Sequence, residues 1–79
     1  MPYADPDPSA VRVLGSRAAY DQVVRALREE GTTTADLGRY HDVLRAQGDG
    51  DAASARALAA GIGRDELREG VLTSLAVGR

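Results

Sequence analysis

The sequence contains no cysteine, lysine, asparagine, phenylalanine or tryptophan. The absence of cysteine excludes disulfide bonds and thiolate chemistry. The chain has one histidine and three tyrosines, so it offers little for imidazole catalysis or for stacking nucleic-acid bases. Its ten basic residues are all arginine, and alanine, glycine and valine are abundant. This composition is typical of GC-rich bacterial or phage genomes and predicts neither a cofactor nor a metal site.

The charge and hydropathy of the chain narrow its partners. The formal net charge of −2 argues against broad electrostatic attraction to nucleic acid or to an anionic membrane. No apolar run approaches the ~20 residues of a membrane-spanning helix. No basic stretch followed by a hydrophobic segment marks a secretory signal. We therefore expect a cytoplasmic protein without a membrane partner.

The chain has few bulky residues for its core. Its 79 residues include eight leucines, seven valines and one isoleucine, with alanine in many other apolar positions. Burying one Val or Leu side chain contributes about 1.5–3 kcal/mol, and ordering each backbone residue costs about 1–2 kcal/mol. So thin a core favours self-association, as a dimer, or stabilisation by another protein.

Apolar residues recur at helical spacing in four segments of the chain. The spacing predicts an all-α fold, a small bundle of four helices over 17–29, 34–46, 52–60 and 65–76. The apolar residues at this spacing comprise Tyr20, Val23, Val24, Leu27, Leu37, Tyr40, Leu44, Ala55, Leu58, Ala59, Ile62, Leu67, Val71, Leu72 and Leu75, and Val43 lies beside the inward face of the second helix.

Capping residues set the expected ends of these helices. Ser16, Thr33 and Asp51 are the predicted N-caps, and Asp36 follows Thr33 at the spacing of a capping box. Short glycine-rich turns separate the helices. Gly31, Gly48 and Gly78 are the predicted stops for the first, second and fourth helices.

The first part of the chain is less regular. Residues 1–8 contain three prolines and predict a flexible, disordered tail, which leaves 9–79 as a single helical domain. Residues 10–14 fit either a short strand or a helix capped by Ser9 and broken at Gly15. We favour the helix because no second strand-like run exists to pair with a strand.

Few residues suggest catalysis or metal binding. His41 has Leu37 and Arg45 as its helical neighbours, and Asp42 is expected to point elsewhere, so a structural role is favoured over a catalytic one. Asp49 and Asp51 resemble the opening of a calcium loop, but no later ligand follows at the required spacing. A turn followed by a helix cap explains both aspartates.

One segment, from Ala57 through Gly61 to Leu67, is similar to a helix-turn-helix. Arg56 and Gly70 stand where that pattern has apolar residues. The resemblance implies a DNA-contacting element within 52–75, with exposed Arg64 and Arg68 as the contact residues. The acidic residues beside those arginines, Asp65, Glu66 and Glu69, would repel a phosphate backbone.

Together these observations predict a non-enzymatic helical protein-interaction module of the adaptor, docking or antitoxin-like kind. Val71, Leu72 and Leu75 are the predicted partner or dimer interface, because the last helix has more large apolar residues than one inward stripe uses. The alternative is a small DNA-binding transcription regulator. Charges at Arg39, Asp42 and Arg45 predict i,i+3 ion pairs on a solvated face; the alternative is a mixed-charge rim around an apolar binding groove.

Overall fold

The structure is a computed structural model that describes residues 6–77. Within this range it has five helices and no strand: α1 (Pro8–Leu14), α2 (Arg17–Glu29), α3 (Thr34–Gly48), α4 (Ala52–Ala60) and α5 (Asp65–Val77). None of these helices has the length and apolar character needed to cross a membrane. The predicted all-α class is confirmed, but the predicted count of four helices is wrong, because residues 8–14 form a helix of their own.

The N-terminal helix α1 starts earlier than the sequence predicted. The carboxylate of Asp7, not the hydroxyl of Ser9, caps α1 by accepting the backbone N–H of Ser9. Pro8 occupies the first turn, where its missing N–H costs no hydrogen bond. Residues 1–5 of the predicted tail lie outside the described residues, whereas Asp7 and Pro8 belong to the start of α1.

The remaining helix ends are mostly those predicted. Ser16, Thr33 and Asp51 are the N-caps of α2, α3 and α4, and Gly31 adopts a positive φ of 94° just after α2. Helix α3 ends at Gly48, as predicted, and the chain then turns at Gly50, whose φ is 81°. The predicted stop at Gly78 lies outside the described residues.

Gly48, the last residue of α3, also has a packing role. A Cβ atom at this position would overlap the backbone carbonyl group of Ser9 in α1. The hydroxyl of Ser9 also donates a hydrogen bond of 2.7 Å to the carboxylate of Asp49. The glycine therefore lets α1 cross closely over the end of α3.

Helix α3 is the centre of the packing. The backbones of α1, α2 and α4 approach α3 closely, while the backbone of α5 closely approaches only α4. Four of the nine buried apolar residues are alanines, and the largest fully buried side chains are Ile62 and Val43. Many larger aliphatic side chains are only partly buried against these small residues, so the monomer leaves much of its apolar surface incompletely covered.

Candidate protein-binding groove

The partly buried aliphatic side chains line a groove between α2 and α5. Its volume is about 490 Å³, and α3 forms its floor while the end of α1 contributes one side. We call it the α2–α5 groove; its lining comprises Val13, Leu14, Val23, Leu27, Glu30, Tyr40, Val43, Leu44, Gln47, Arg64, Glu66, Leu67, Gly70, Val71, Ser74 and Leu75.

The two walls of the groove run in opposite directions. At one end, the guanidinium of Arg64 pairs with the carboxylate of Glu30 at 3.0 Å. From there the α2 wall runs back to Val23 and the α5 wall runs forward to Leu75. At the 1.5 Å rise of an α-helix, these walls are roughly 10–14 Å long. That length matches the spacing of residues i and i+7 on a helix, about 10.5 Å.

The end at Arg64 is charged, whereas the walls are apolar. Arg64 donates to the carboxylates of Glu30 and Glu66, each at 3.0 Å, and to the hydroxyl of Thr32 at 3.2 Å. The Glu66 side chain is 85% exposed and that of Glu30 is 56% exposed, against 25% for Arg64. One guanidinium therefore faces two carboxylates, and this end has a net negative charge that is open to solvent.

The floor of the groove is uncharged at neutral pH. Burial raises the pKa of the Tyr40 hydroxyl, and the nearby Tyr20 raises this pKa further. A phenol with a raised pKa stays protonated well above neutral pH. Tyr40 therefore gives the floor an apolar ring with a neutral hydroxyl.

The turn that leads into the α5 wall is fixed by Asp36. The buried carboxylate of Asp36 accepts the backbone N–H groups of Gly63 at 3.0 Å and Arg64 at 3.1 Å. It also accepts a hydrogen bond from the guanidinium of Arg39 at 3.1 Å. The bond from Gly63 contributes most to lowering the pKa of Asp36; the Arg64 N–H and Arg39 lower it further, against an opposing contribution from desolvation. A carboxylate on α3 thereby holds the start of α5.

Sequence reasoning missed this role of Asp36. The hydroxyl of Thr33 accepts the N–H of Asp36, as a capping box requires, but the Asp36 carboxylate accepts from the turn before α5. Arg39 pairs with Asp36. The predicted partner of Arg39 was Asp42. Because Asp36 and Gly63 are 27 residues apart, no local pattern indicates the contact.

The predicted interface residues of α5 fall at or beside the groove. Val71 and Leu75 line it, and both are partly buried. Leu72 is also partly buried, and all three side chains pack against the core cluster that contains Ile62 and Leu67. The predicted surplus of apolar residues on α5 is therefore partly used within the monomer, and Val71 and Leu75 also form the α5 wall.

The two arginines of the DNA-binding alternative are engaged within the protein. Arg64 forms the contacts already described. Arg68 donates to the backbone carbonyl of Ile62 at 3.0 Å and to the carboxylate of Asp65 at 2.6 Å. The side chains of Arg64 and Arg68 are 25% and 29% exposed, less than expected for residues on an open recognition surface.

The single histidine has a structural contact outside the groove. The Nε2 atom of His41 accepts the backbone N–H of Asp7 at 3.0 Å, which ties the start of α1 to α3. The expectation that Asp42 points elsewhere is wrong, because its carboxylate lies 3.3 Å from His41 Nδ1. The rings of Tyr20 and His41 also contact each other edge to face.

The aspartates of the calcium-like segment have local roles. Asp51 caps α4 by accepting the N–H of Ser54, and Asp49 accepts the hydroxyl of Ser9. Hydrogen bonds from Ser54 lower the pKa of Asp51. Within residues 6–77, no group of three or more His, Cys, Asp or Glu side chains is placed to hold a metal ion.

Sequence reasoning also missed the far side of the groove. Val13, Leu14 and Val23 contribute to its lining, although Val23 had been predicted to belong to the core. The sequence signal for an open groove was the small number of bulky apolar residues compared with alanine. That signal predicts incomplete coverage but does not indicate which helices flank the opening.

Comparisons of the chain with protein-family models, with curated proteins and with solved structures find no match. The function of the protein is therefore inferred from the groove itself.

Proposed function

We propose that this protein is a non-enzymatic interaction module of the cytoplasm, which binds one amphipathic helix of a partner protein in the α2–α5 groove. The observation that carries this proposal is the shape and chemistry of the groove: two antiparallel helical walls, an apolar floor and a volume of about 490 Å³. Helix-binding grooves recognise apolar side chains at positions i, i+3, i+4 and i+7. The wall length fits such a segment.

The composition of the core supports the same proposal. Four of the nine buried apolar residues are alanines, while larger side chains such as Val71 and Leu75 are only partly covered. A docked helix would bury these side chains further, with a gain of about 25 cal/mol for each Å² of apolar surface removed from water.

The DNA-binding alternative has less support. Residues 61–64 do connect α4 to α5, as in a helix-turn-helix, but Arg64 and Arg68 already bind Glu30, Glu66 and Asp65. A phosphate group would have to displace these carboxylates or lie beside them. Arg64 and Arg68 would have to supply the affinity for DNA, and the carboxylates that already bind them would repel the phosphate backbone.

The experiment that tests the proposal blocks the groove at Gly70. This glycine lines the groove, and a Cβ atom added to it meets nothing within 4 Å. Gly38 is a matched control, since it lies inside α3, is exposed and is equally open to a Cβ atom, but does not line the groove. The Gly70→Leu variant would place a large side chain in the path of a docked helix. The Gly38→Leu variant would not.

Helical peptides selected against the wild-type protein from a displayed library should bind Gly70→Leu at least about tenfold more weakly, a loss of about 1.4 kcal/mol or more. Their affinity for Gly38→Leu should be unchanged. Both variants should remain folded, because leucine is a better helix former than glycine by roughly 1 kcal/mol; circular dichroism checks this. Enrichment of no helical peptide, or equal binding to both variants, would refute the proposal.

A further inference from the structure

We infer that the occupant of the α2–α5 groove is a helix of a different protein that carries a lysine or arginine at one end, where it meets Glu30 and Glu66. The inference rests on the proposed function, because it specifies the partner of the same groove. It adds the chemistry of that partner and the end of the groove at which its basic residue lies.

The end of the groove at Arg64 has more carboxylates than guanidinium groups. Glu30 and Glu66 stand on opposite walls and share the single guanidinium of Arg64. Both carboxylates are more exposed than the arginine between them, with Glu66 85% exposed. A basic side chain arriving here would balance the excess carboxylate, whereas an acidic one would be repelled.

The position of this charge shows at which end of the groove the basic residue lies. The rest of the lining is mainly valine, leucine and Tyr40, with Gln47 and Ser74 as uncharged polar residues. A docked helix therefore meets charge at one end and apolar walls along its length. A helix that has an apolar stripe and a basic residue one turn before or after it would match both the apolar walls and the charged end.

The surface of the protein argues against a second copy as the occupant. Within residues 6–77, Val77 is the one large hydrophobic residue that is exposed. Filling the groove requires several outward apolar side chains at i, i+3, i+4 and i+7 on one helix. No helix within residues 6–77 of a second copy presents such a stripe, which favours a different protein as its source. The predicted self-association would need the partly covered Val71 and Leu75 of two copies to meet face to face.

Three synthetic peptides test the inference. They share one amphipathic sequence, taken from the groove-binding selection, and differ only at the end nearest Glu66, which carries two lysines, two glutamines or two glutamates. At low salt we expect the lysine peptide to bind about two- to fivefold more tightly than the glutamine peptide, as for an exposed ion pair. The glutamate peptide should bind most weakly, and the differences should shrink at about 1 M salt.

A matched pair of variants assigns the preference to the groove. Glu66→Gln removes the more exposed of the two carboxylates and should reduce the preference for the lysine peptide. Glu69→Gln removes an exposed carboxylate from the same helix outside the groove lining and should leave the preference intact. Equal reduction by both variants would assign the effect to overall charge and overturn the inference.

The outcomes separate this inference from the proposed function. If all three peptides bind equally and Gly70→Leu still abolishes their binding, the groove binds a helix, but Glu30 and Glu66 do not select a basic residue and the inference is overturned. If none binds, the proposed function fails. If light scattering finds dimers that Gly70→Leu dissociates, the occupant is a second copy and the inference is overturned.

Discussion

Replacing Gly48 with alanine is expected to destabilise the protein by about 1–3 kcal/mol, the usual cost of forcing an extra group into a packed site. The new Cβ atom would overlap the carbonyl group of Ser9, and a backbone atom cannot rotate away as a flexible side chain can. Helix α1 would have to move off the end of α3. That movement would also stretch the hydrogen bond from the Ser9 hydroxyl to Asp49.

The control for this variant lies in the same helix. Gly38→Ala should stabilise the protein by roughly 0.5–1 kcal/mol, because alanine is the better helix former and a Cβ atom at Gly38 has open space around it. Urea denaturation of the two variants measures both changes in the free energy of unfolding. Effects of the same sign at Gly48 and Gly38 would contradict the close crossing of α1 over α3.

Replacing Asp36 with asparagine is expected to lower the melting temperature by several degrees at neutral pH. The asparagine side chain cannot accept from both Gly63 and Arg64, because one of its two polar atoms is now a donor. It also loses the charge that faces Arg39. Asp21→Asn is the control, since the ion pair of Asp21 within residues 6–77 is an exposed i,i+4 pair with Arg17, and such a pair contributes little.

The effect of Asp36 should depend on pH in a defined direction. Its folded-state pKa lies below the ordinary value of 3.8, so its stabilising contribution is present above that value and is lost as the pH falls through the folded-state pKa. The melting temperatures of the wild type and Asp36→Asn should therefore converge below about pH 3.8. A difference that stays constant from pH 7 to the acid limit would show that the carboxylate charge is not what holds the turn.

Local physics explains why most helices could be predicted from the sequence. Ser16, Thr33 and Asp51 cap their helices through bonds to residues only three positions away, so the sequence contains the whole interaction. Ala55 and Ala59 likewise fall on one buried face of α4, and Ile62, just beyond that helix, joins the same core cluster.

The errors arose where distant parts of the chain decide the structure. Gly48 ends α3 as predicted, but the packing that requires a glycine there comes from Ser9, 39 positions earlier. Asp7 caps α1 while its N–H binds His41, 34 residues away. Neither contact leaves a periodic signal in the sequence.

The candidate site was predictable only in part. The apolar surplus on α5 indicated Val71 and Leu75, and both line the groove. The opposite wall depends on how α2 lies across α3, which is a matter of packing and not of spacing along the chain. The bridge from Glu30 to Glu66 through Arg64 likewise requires the fold.

The central claim is that a partner helix lies between α2 and α5, and the most direct measurement is the NMR footprint of a bound peptide. Backbone amide shifts of the ¹⁵N-labelled protein should change along 23–30 of α2 and 66–75 of α5 when a groove-selected helical peptide is added. Amides on the exposed side of α4, such as Arg56 and Ala57, should keep their positions. A footprint centred on α4, with α2 and α5 unchanged, would contradict the account.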